Sequence, residues 1–330
     1  MVTADQTLTH FEREFWSGSD EDFKQLVNCA ESNIKRFIDT IKLNILDKII
    51  GRTIDQKAQL FCNLHCIRTM RIKNCKYGGR WVFMYLFGFC EFFSSAFALI
   101  KFSRNCIKSK DFCAQIKNSP IKTPLLLQFV AMTIAFMFSF FFHLHENEFT
   151  RKGDYFSAVL GIIMNANCAM LRNLHIYSPQ ACQRFSFACT LSLISIFLYH
   201  VYVMNFVSFD YQYNFKFCTV FVILTKLNET ISCVFYKNKH LNTSFLKLVV
   251  ATVLAALFEL SDFPPLFFLL DSHAMWHLSL LLSLDAYYHF TLTEVQLCLE
   301  NDKKKESHKI KPIKDLKLKD MGISDLPIVE

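Results

Sequence analysis

The chain has 330 residues, of which 52% are hydrophobic, with 36 phenylalanines and only 8 glycines. Together with a positive mean hydropathy, this composition excludes an ordinary soluble domain and predicts a membrane protein. The formal net charge is +7, but the basic residues cluster in loops between apolar segments. We therefore attribute the charge to membrane topology and expect no nucleic-acid partner.

The first 80 residues precede the apolar segments. Residues 1–18 are polar and lack the basic and apolar stretches of a signal peptide. Residues 19–60 carry apolar side chains at helical spacing, which predicts one or two amphipathic helices. Four cysteines leave two alternatives open. Cys29, Cys62, Cys66 and Cys75 would form two disulfides, in any of three pairings, if the region is lumenal; Cys62, His65, Cys66 and Cys75 would bind zinc if it is cytosolic.

Seven apolar segments follow, and a run of about 20 such residues is long enough to cross a bilayer as a helix. We place them at 81–100, 123–144, 155–173, 185–207, 214–236, 246–260 and 265–290. Pro264 and Pro265 suit the first turn of the seventh helix. The predicted fold is an all-α polytopic membrane protein. It has a helical, cysteine-containing N-terminal region (1–80), a seven-transmembrane helix bundle (81–297) and a basic cytosolic tail (298–330).

Basic residues are concentrated in alternate connections. The richest ones follow the first span (Lys101 to Lys122), follow the fifth span (Lys237 to Lys247) and lie in the C-terminal tail. The remaining connections contain few lysines or arginines. By the positive-inside rule, the C-terminus is predicted to be cytosolic and the N-terminus lumenal or extracellular.

Polar side chains interrupt the apolar segments at the predicted non-cytosolic ends of three spans. They are Ser139 and His143 in the second span, Asp154 at the start of the third, and His273 and His277 in the seventh. Residues four apart share one face of a helix, and ionisable residues inside membrane spans mark functional sites. Three histidines with a nearby acid fit a catalytic zinc site, which has three protein ligands and one open position.

Each of these residues also has a structural explanation. A pair of histidines on an apolar face more often packs or lines a pore than binds a metal. The Ser139 hydroxyl could bond the carbonyl one turn back, and Asp154 could be favoured by the helix dipole. Asp271 is predicted to support or pack beside the site, because it lies only two positions before His273. Lys226 and Glu229 are predicted to pair with each other.

Four segments carry a resemblance to a known family. They are S-x-x-x-H at Ser139 to His143 followed by D-Y-F at Asp154, F-D-Y-Q-Y-N at Phe209 to Asn214, D-F-P-P-L-x-x-x-L-D-x-H-A-x-W-H at Asp262 to His277, and K-Y-G-G-R-W-V-F at Lys76 to Phe83. Together they resemble the Per-like family (post-GPI attachment to proteins factor 3). The resemblance covers Lys76 to Ser279.

The resemblance implies membership of a seven-span superfamily that includes alkaline ceramidases and adiponectin-type receptors. It implies a metal-dependent lipid acyl-ester hydrolase, phospholipase A2-like, that removes an acyl chain from the lipid of GPI-anchored proteins in the endoplasmic reticulum or Golgi. On this hypothesis His143, His273 and His277 hold Zn²⁺ on the lumenal side. Asp154 orients and deprotonates a water, and Ser139 donates a hydrogen bond to that water or to the oxyanion. A ceramide amide hydrolase and a non-catalytic receptor or structural protein remain as alternatives.

Overall fold

A computed structural model describes residues 20–71, 76–77, 80–116, 119 and 121–320 of the chain. The predicted polar segment 1–18 and Cys75 lie outside the described residues. In chain order the elements are α1 (Asp20–Thr40), α2 (Ile45–Ile49), α3 (Ile54–Thr69), β1 (Lys76–Tyr77), β2 (Arg80–Trp81), α4 (Phe92–Gln115), α5 (Lys122–Leu144), α6 (Glu148–Tyr177), α7 (Pro179–Tyr202), α8 (Tyr211–Tyr236), α9 (Lys239–Ser261) and α10 (Ser272–Asp320). Strands β1 and β2 form a two-residue antiparallel hairpin, and a π-helical turn, Val203–Val207, extends α7.

Helices α4 to α10 form the bundle. Helix α4 packs against α5 and α10, α5 against α6, α6 against α7 and α8, and α9 against α8 and α10. Short connections join most of these helices, so successive helices run in opposite directions. One end of the bundle, the site end, contains the start of α4, the end of α5 and the start of α10. The opposite end contains the end of α6, the start of α7 and the turn between α8 and α9.

Five described helices, α5 to α9, are long and apolar enough to cross a membrane. Helix α7 shows the least burial of the five, as expected for a helix that faces lipid. Helices α4 and α10 are more polar, and part of their charge is paired between them: Arg104 and Lys108 of α4 both contact Asp285 of α10. The protein is therefore an all-α polytopic membrane protein, as predicted.

The predicted start of the first span is wrong. Residues 82–91 form a loop, in which Phe87 (φ 52°) and Gly88 (φ 98°) have left-handed backbone conformations, and α4 begins only at Phe92. The basic residues assigned to the following loop are therefore largely in α4. Among them, Lys101 is 2% exposed. It therefore lies in the interior of the bundle and does not indicate which side of the membrane this part of the chain faces.

The predicted role of the proline pair is also wrong. Pro264 and Pro265 lie in the loop between α9 and α10, because α10 begins only at Ser272. Asp262 adopts a left-handed conformation (φ 41°) that ends α9. The next residue, Phe263, precedes Pro264, and a residue before proline disfavours the helical conformation. The predicted start of the third span is likewise late, since α6 begins at Glu148 behind a capping box formed by Asn147 and Thr150.

The N-terminal region packs on itself through α1 and α3. Leu26, Ala30 and Ile34 of α1 lie buried against Ala58, Cys62, Cys66 and Ile67 of α3. A disulfide joins Cys29 to Cys66, whereas Cys62 is free and buried. Because the Cys66 sulfur is in the disulfide, the alternative zinc site that included Cys66 is wrong.

A buried ionic cluster fixes this region to the site end. The Arg52 guanidinium donates to Asp47 Oδ1 (2.7 Å) and to the Leu144 carbonyl at the end of α5 (2.9 Å). Lys57 Nζ lies 2.6 Å from Asp47 Oδ2. Burial alone would raise the pKa of Asp47, but hydrogen bonds from Lys57, Tyr85 and other donors outweigh it and lower that pKa to about 2. The ionised cluster therefore stabilises the contact between the N-terminal region and the bundle.

Candidate metal centre

The three predicted histidines meet at the site end of the bundle. His143 lies in the last turn of α5, and His273 and His277 lie in the first two turns of α10. One ligand nitrogen of each lies within 4.8 Å of the others, and Nε2 of His143 is 3.0 Å from Nε2 of His277. His143 and His277 are 2% and 1% exposed. The three rings are therefore close enough to hold one metal ion between two helices that are distant in sequence.

Two of the histidines have a carboxylate behind the ring. Glu91 Oε2 lies 2.6 Å from Nδ1 of His143, and Glu259 Oε2 lies 2.9 Å from Nδ1 of His273. A carboxylate in this position keeps the proton on Nδ1 and leaves the Nε2 lone pair free, which is the usual outer partner of a metal-binding histidine. The residues present therefore fit a metal centre.

His277 has a different partner. Its Nδ1 lies 2.6 Å from Nζ of Lys101, and the same nitrogen lies over the rings of Phe136 and Trp276, 5.2 and 5.4 Å from their centroids. If a metal binds Nε2, then Nδ1 carries the proton, and the Lys101 amine must accept that hydrogen bond. The site thus brings together two carboxylates and one amine behind three imidazoles.

The two predicted catalytic residues occupy different places. The charge of Asp154, in the second turn of α6, interacts electrostatically with the amine of Lys101. Ser139 is buried one turn before His143. Its hydroxyl has no hydrogen bond to the described residues, including the carbonyl one turn back that we gave as its alternative partner. Asp154 is therefore linked to the histidines through its electrostatic interaction with Lys101, whereas Ser139 is linked to them by lying one turn before His143 on α5.

A glycine makes room for an aromatic side chain between α5 and α6 here. A Cβ atom at Gly153 would lie 2.3 Å from Cδ1 of Phe138, which is far inside contact distance. Gly153 precedes Asp154, and Phe138 precedes Ser139. Farther along α6, a Cβ atom at Gly161 would lie 3.8 Å from the nearest atom, in Ala135, which is ordinary contact distance. The tight fit of the Phe138 ring therefore lies at the end of the helix pair that carries the predicted catalytic residues.

The segments that carry the family resemblance contact one another around this site. Tyr155 of D-Y-F packs on Phe209 of F-D-Y-Q-Y-N, with ring centroids 5.0 Å apart. The Tyr211 hydroxyl of the same segment donates to Glu259, the carboxylate behind His273. These aromatic residues therefore support the histidines from outside.

Two aspartates of the D-F-P-P-containing segment are structural. The carboxylate of Asp262 accepts from Nε1 of Trp81 (3.0 Å) and pairs with Lys76. It thereby joins the loop before α10 to the hairpin of the K-Y-G-G-R-W segment. Asp271 accepts from the Ala274 amide (2.8 Å) and caps α10, in line with the predicted packing role. The Lys226–Glu229 pair is also confirmed, at 2.7 Å.

Sequence reasoning missed the three residues behind the histidines. Glu91 and Lys101 bracket an apolar stretch, and Glu259 stands near the end of another. The rule that a charge inside an apolar span marks a functional site applies to all three. In the predicted spans, however, Lys101 falls in a loop, and Glu91 and Glu259 fall inside spans without an assigned role.

Comparison with known proteins gives one consistent family. The model of the Per1-like family matches residues 50–295. The Schizosaccharomyces pombe protein named Protein PER1 homolog is 28% identical over 219 residues, which are 62% of this chain and 62% of that protein. The protein named GPI-specific phospholipase A2-like PGAP3 is 30% identical over 191 residues in Danio rerio (56% of this chain, 58% of that protein). Its Homo sapiens counterpart is 28% identical over 210 residues (62% and 63%).

The match therefore spans less than two thirds of the length of these relatives. No solved structure matches the chain. The family match includes α4 to α9 and the part of α10 that carries both of its candidate ligands. The chain belongs to the Per1-like family.

Proposed function

We propose that the chain is a zinc-dependent membrane hydrolase that removes an acyl chain from the lipid of GPI anchors. The observation that carries this proposal is the convergence of His143, His273 and His277, two of them with a carboxylate at Nδ1. The substrate class comes from the relatives named GPI-specific phospholipase A2-like. The reaction is hydrolysis of an ester, in which water adds to the acyl carbonyl, the acyl C–O bond breaks, and a fatty acid and a lysolipid result.

The ligand set favours zinc over other metals. Three neutral imidazoles with one open position are typical of catalytic zinc and supply no carboxylate ligand of the kind that magnesium or calcium prefers. Zinc bound there would supply a Lewis acid and lower the pKa of a water molecule. The chain's own contribution begins with Glu91 and Glu259, which hold the Nδ1 protons of His143 and His273 and so orient both rings.

The remaining residues handle protons and charge. Asp154 is the base that takes the proton of the attacking water and returns it to the leaving alkoxide. Ser139, buried one turn from His143, donates a hydrogen bond to the oxyanion that forms at the carbonyl. Lys101 orients the His277 ring through the hydrogen bond at Nδ1, and its amine interacts electrostatically with Asp154.

The surroundings of the site suit a lipid substrate. Large apolar side chains are exposed in the loops and terminal helical turns at the site end, with Phe87, Phe149, Phe206 and Phe267 each more than 70% exposed. Aromatic side chains of this kind favour the boundary between headgroups and acyl chains. The ester bonds of a phospholipid lie at that depth, so a substrate would meet the histidines from the membrane.

We further propose that the site faces the lumen of the endoplasmic reticulum or Golgi and that the C-terminus is cytosolic. The Cys29–Cys66 disulfide belongs to the region fixed to the site end, and disulfides persist in oxidising compartments. Lys237, Lys239 and the lysines at 303–305 lie toward the opposite end, as expected for a cytosolic face.

The metal is tested first, on full-length protein purified in detergent. We expect one zinc at the site, lost in His143→Ala and in His273→Ala. The variant His65→Ala, which changes an exposed histidine of α3, serves as the matched control and keeps the zinc. A wild-type protein that binds no zinc at these residues would overturn the proposal.

Catalysis is then tested with lipid substrates. We expect the wild type to release fatty acid from a GPI lipid and not from ceramide. Asp154→Asn is expected to retain zinc and lose this activity. Full activity in Asp154→Asn would refute its role as the base, whereas preferential cleavage of ceramide would identify an amide hydrolase.

A further inference from the structure

A second group of metal-ligand side chains lies toward the opposite end of the bundle. It consists of His175 in the last turn of α6 and of Cys298 and Asp302, one turn apart on α10. One ligand atom of each lies within 4.8 Å of the others, and Nε2 of His175 is 2.8 Å from Oδ2 of Asp302. At 1.5 Å per helical residue, Cys298 lies about 38 Å along α10 from His273. The two groups are therefore separate.

The group is enclosed but can be reached from solvent. His175 and Cys298 are 3% and 4% exposed, whereas the Asp302 side chain is 27% exposed. The Tyr236 hydroxyl lies next to the Cys298 thiol and interacts with it. It is therefore placed to donate a hydrogen bond to that sulfur as an outer partner of a bound ion.

Charged residues surround the group. Arg172, one turn before His175, is engaged by Glu294 at 2.6 Å. Lys305 donates to the Ile176 carbonyl at 3.1 Å, and its charge also acts on the Cys298 thiol. The thiol of Cys298 and the carboxylate of Asp302 are the two acidic ligands of the group, and a divalent ion bound between them would balance their charge when both are deprotonated.

We propose that His175, Cys298 and Asp302 form a second metal site, which binds a divalent ion of the zinc class. A nitrogen, a sulfur and an oxygen donor with one position left for water match the tetrahedral preference of zinc, and the thiolate disfavours magnesium and calcium. The ion would join α6 to the part of α10 that extends beyond the family match. This site is independent of the proposed hydrolase function, because none of its residues takes part in the first site.

Cobalt provides a probe that separates the two sites. Co²⁺ bound to a thiolate gives a near-ultraviolet charge-transfer absorption, which a site made only of histidines lacks. We expect metal-stripped, full-length protein in detergent to show this absorption as two equivalents of Co²⁺ are added, because the three-histidine site also takes up the ion. His143→Ala is expected to retain the absorption, and Cys298→Ser to lose it.

Two further variants make the experiment decisive. Cys233→Ser, which changes another buried cysteine outside the group, is the matched control and keeps the absorption. Asp302→Asn alters a partly exposed ligand and is expected to fold while binding Co²⁺ more weakly. A wild-type protein without the charge-transfer absorption, or an absorption that persists in Cys298→Ser, would show a hydrogen-bonded cluster only and overturn the proposal.

Discussion

Replacing Glu91 by glutamine tests how the first site holds its metal. The substitution preserves the length of the side chain but removes the negative charge that lies 2.6 Å from Nδ1 of His143. Glu91 precedes α4 without making a side-chain cap hydrogen bond, so the start of that helix should be unaffected. The change therefore acts on the orientation and basicity of one ligand.

The expected loss follows from the burial of this pair. The side chains of His143 and Glu91 are 2% and 11% exposed, so water screens their interaction little. A hydrogen bond to a charged group contributes about 1.5–3 kcal/mol, and loss of such an outer partner lowers metal affinity by about 10- to 100-fold. We expect zinc affinity in Glu91→Gln to fall within that range.

The assay is zinc competition against a chromophoric chelator, with detergent-purified protein at constant pH. Glu148→Gln is the matched control, because Glu148 lies at the same end of the bundle and pairs with Lys152 of the next helical turn, at 2.7 Å. Zinc affinity within twofold of wild type in Glu91→Gln, together with its loss in His143→Ala, would refute the role of the carboxylate.

Three further predictions concern the fold around the site. The pKa of Asp47 is lowered to about 2 from an ordinary 3.8, which predicts that its ionised form adds about 2 kcal/mol to the free energy of unfolding. This contribution is complete above pH ~4 and is lost as the pH falls through about 2. The unfolding free energy of Asp47→Asn should lack this pH dependence. Reduction of Cys29–Cys66, which are 37 residues apart, should destabilise the N-terminal region by up to about 4 kcal/mol, measured by hydrogen exchange. Gly153→Ala should displace the Phe138 ring and reduce the proposed lipid hydrolysis, with little effect in Gly161→Ala, and equal activity in both would contradict the argument from the Phe138 contact.

Spacing and topology predicted the histidine cluster because both act over whole helices. Helical periodicity puts His273 and His277 on one face, and alternation of spans puts His143 at the same end. The three residues, whose ligand atoms lie within 4.8 Å of one another, could therefore be predicted without exact helix boundaries. An error of several residues in a span leaves its end on the same side of the membrane.

The missed residues depended on boundaries that hydropathy does not set. The stretch from Trp81 to Cys90 is as apolar as a membrane span, but left-handed residues and contacts with Arg52 hold it as a loop. Those contacts come from Arg52, which is 36 positions from Gly88 and 38 from Cys90 along the chain, so no local pattern encodes them. The proline pair likewise satisfied a local rule for helix starts, whereas the backbone at Asp262 and the Asp271 cap decide where α9 ends and α10 begins.

The long sequence separation of the ligands has a consequence for biosynthesis. His143 and His277 are 134 positions apart, and Glu91 lies a further 52 before His143. During synthesis no chain that lacks α10 contains all three imidazoles, even after five apolar helices have entered the membrane. On the proposed function, zinc loading would therefore follow the synthesis of α10, and a nascent chain that ends before α10 would not hydrolyse the lipids that surround it.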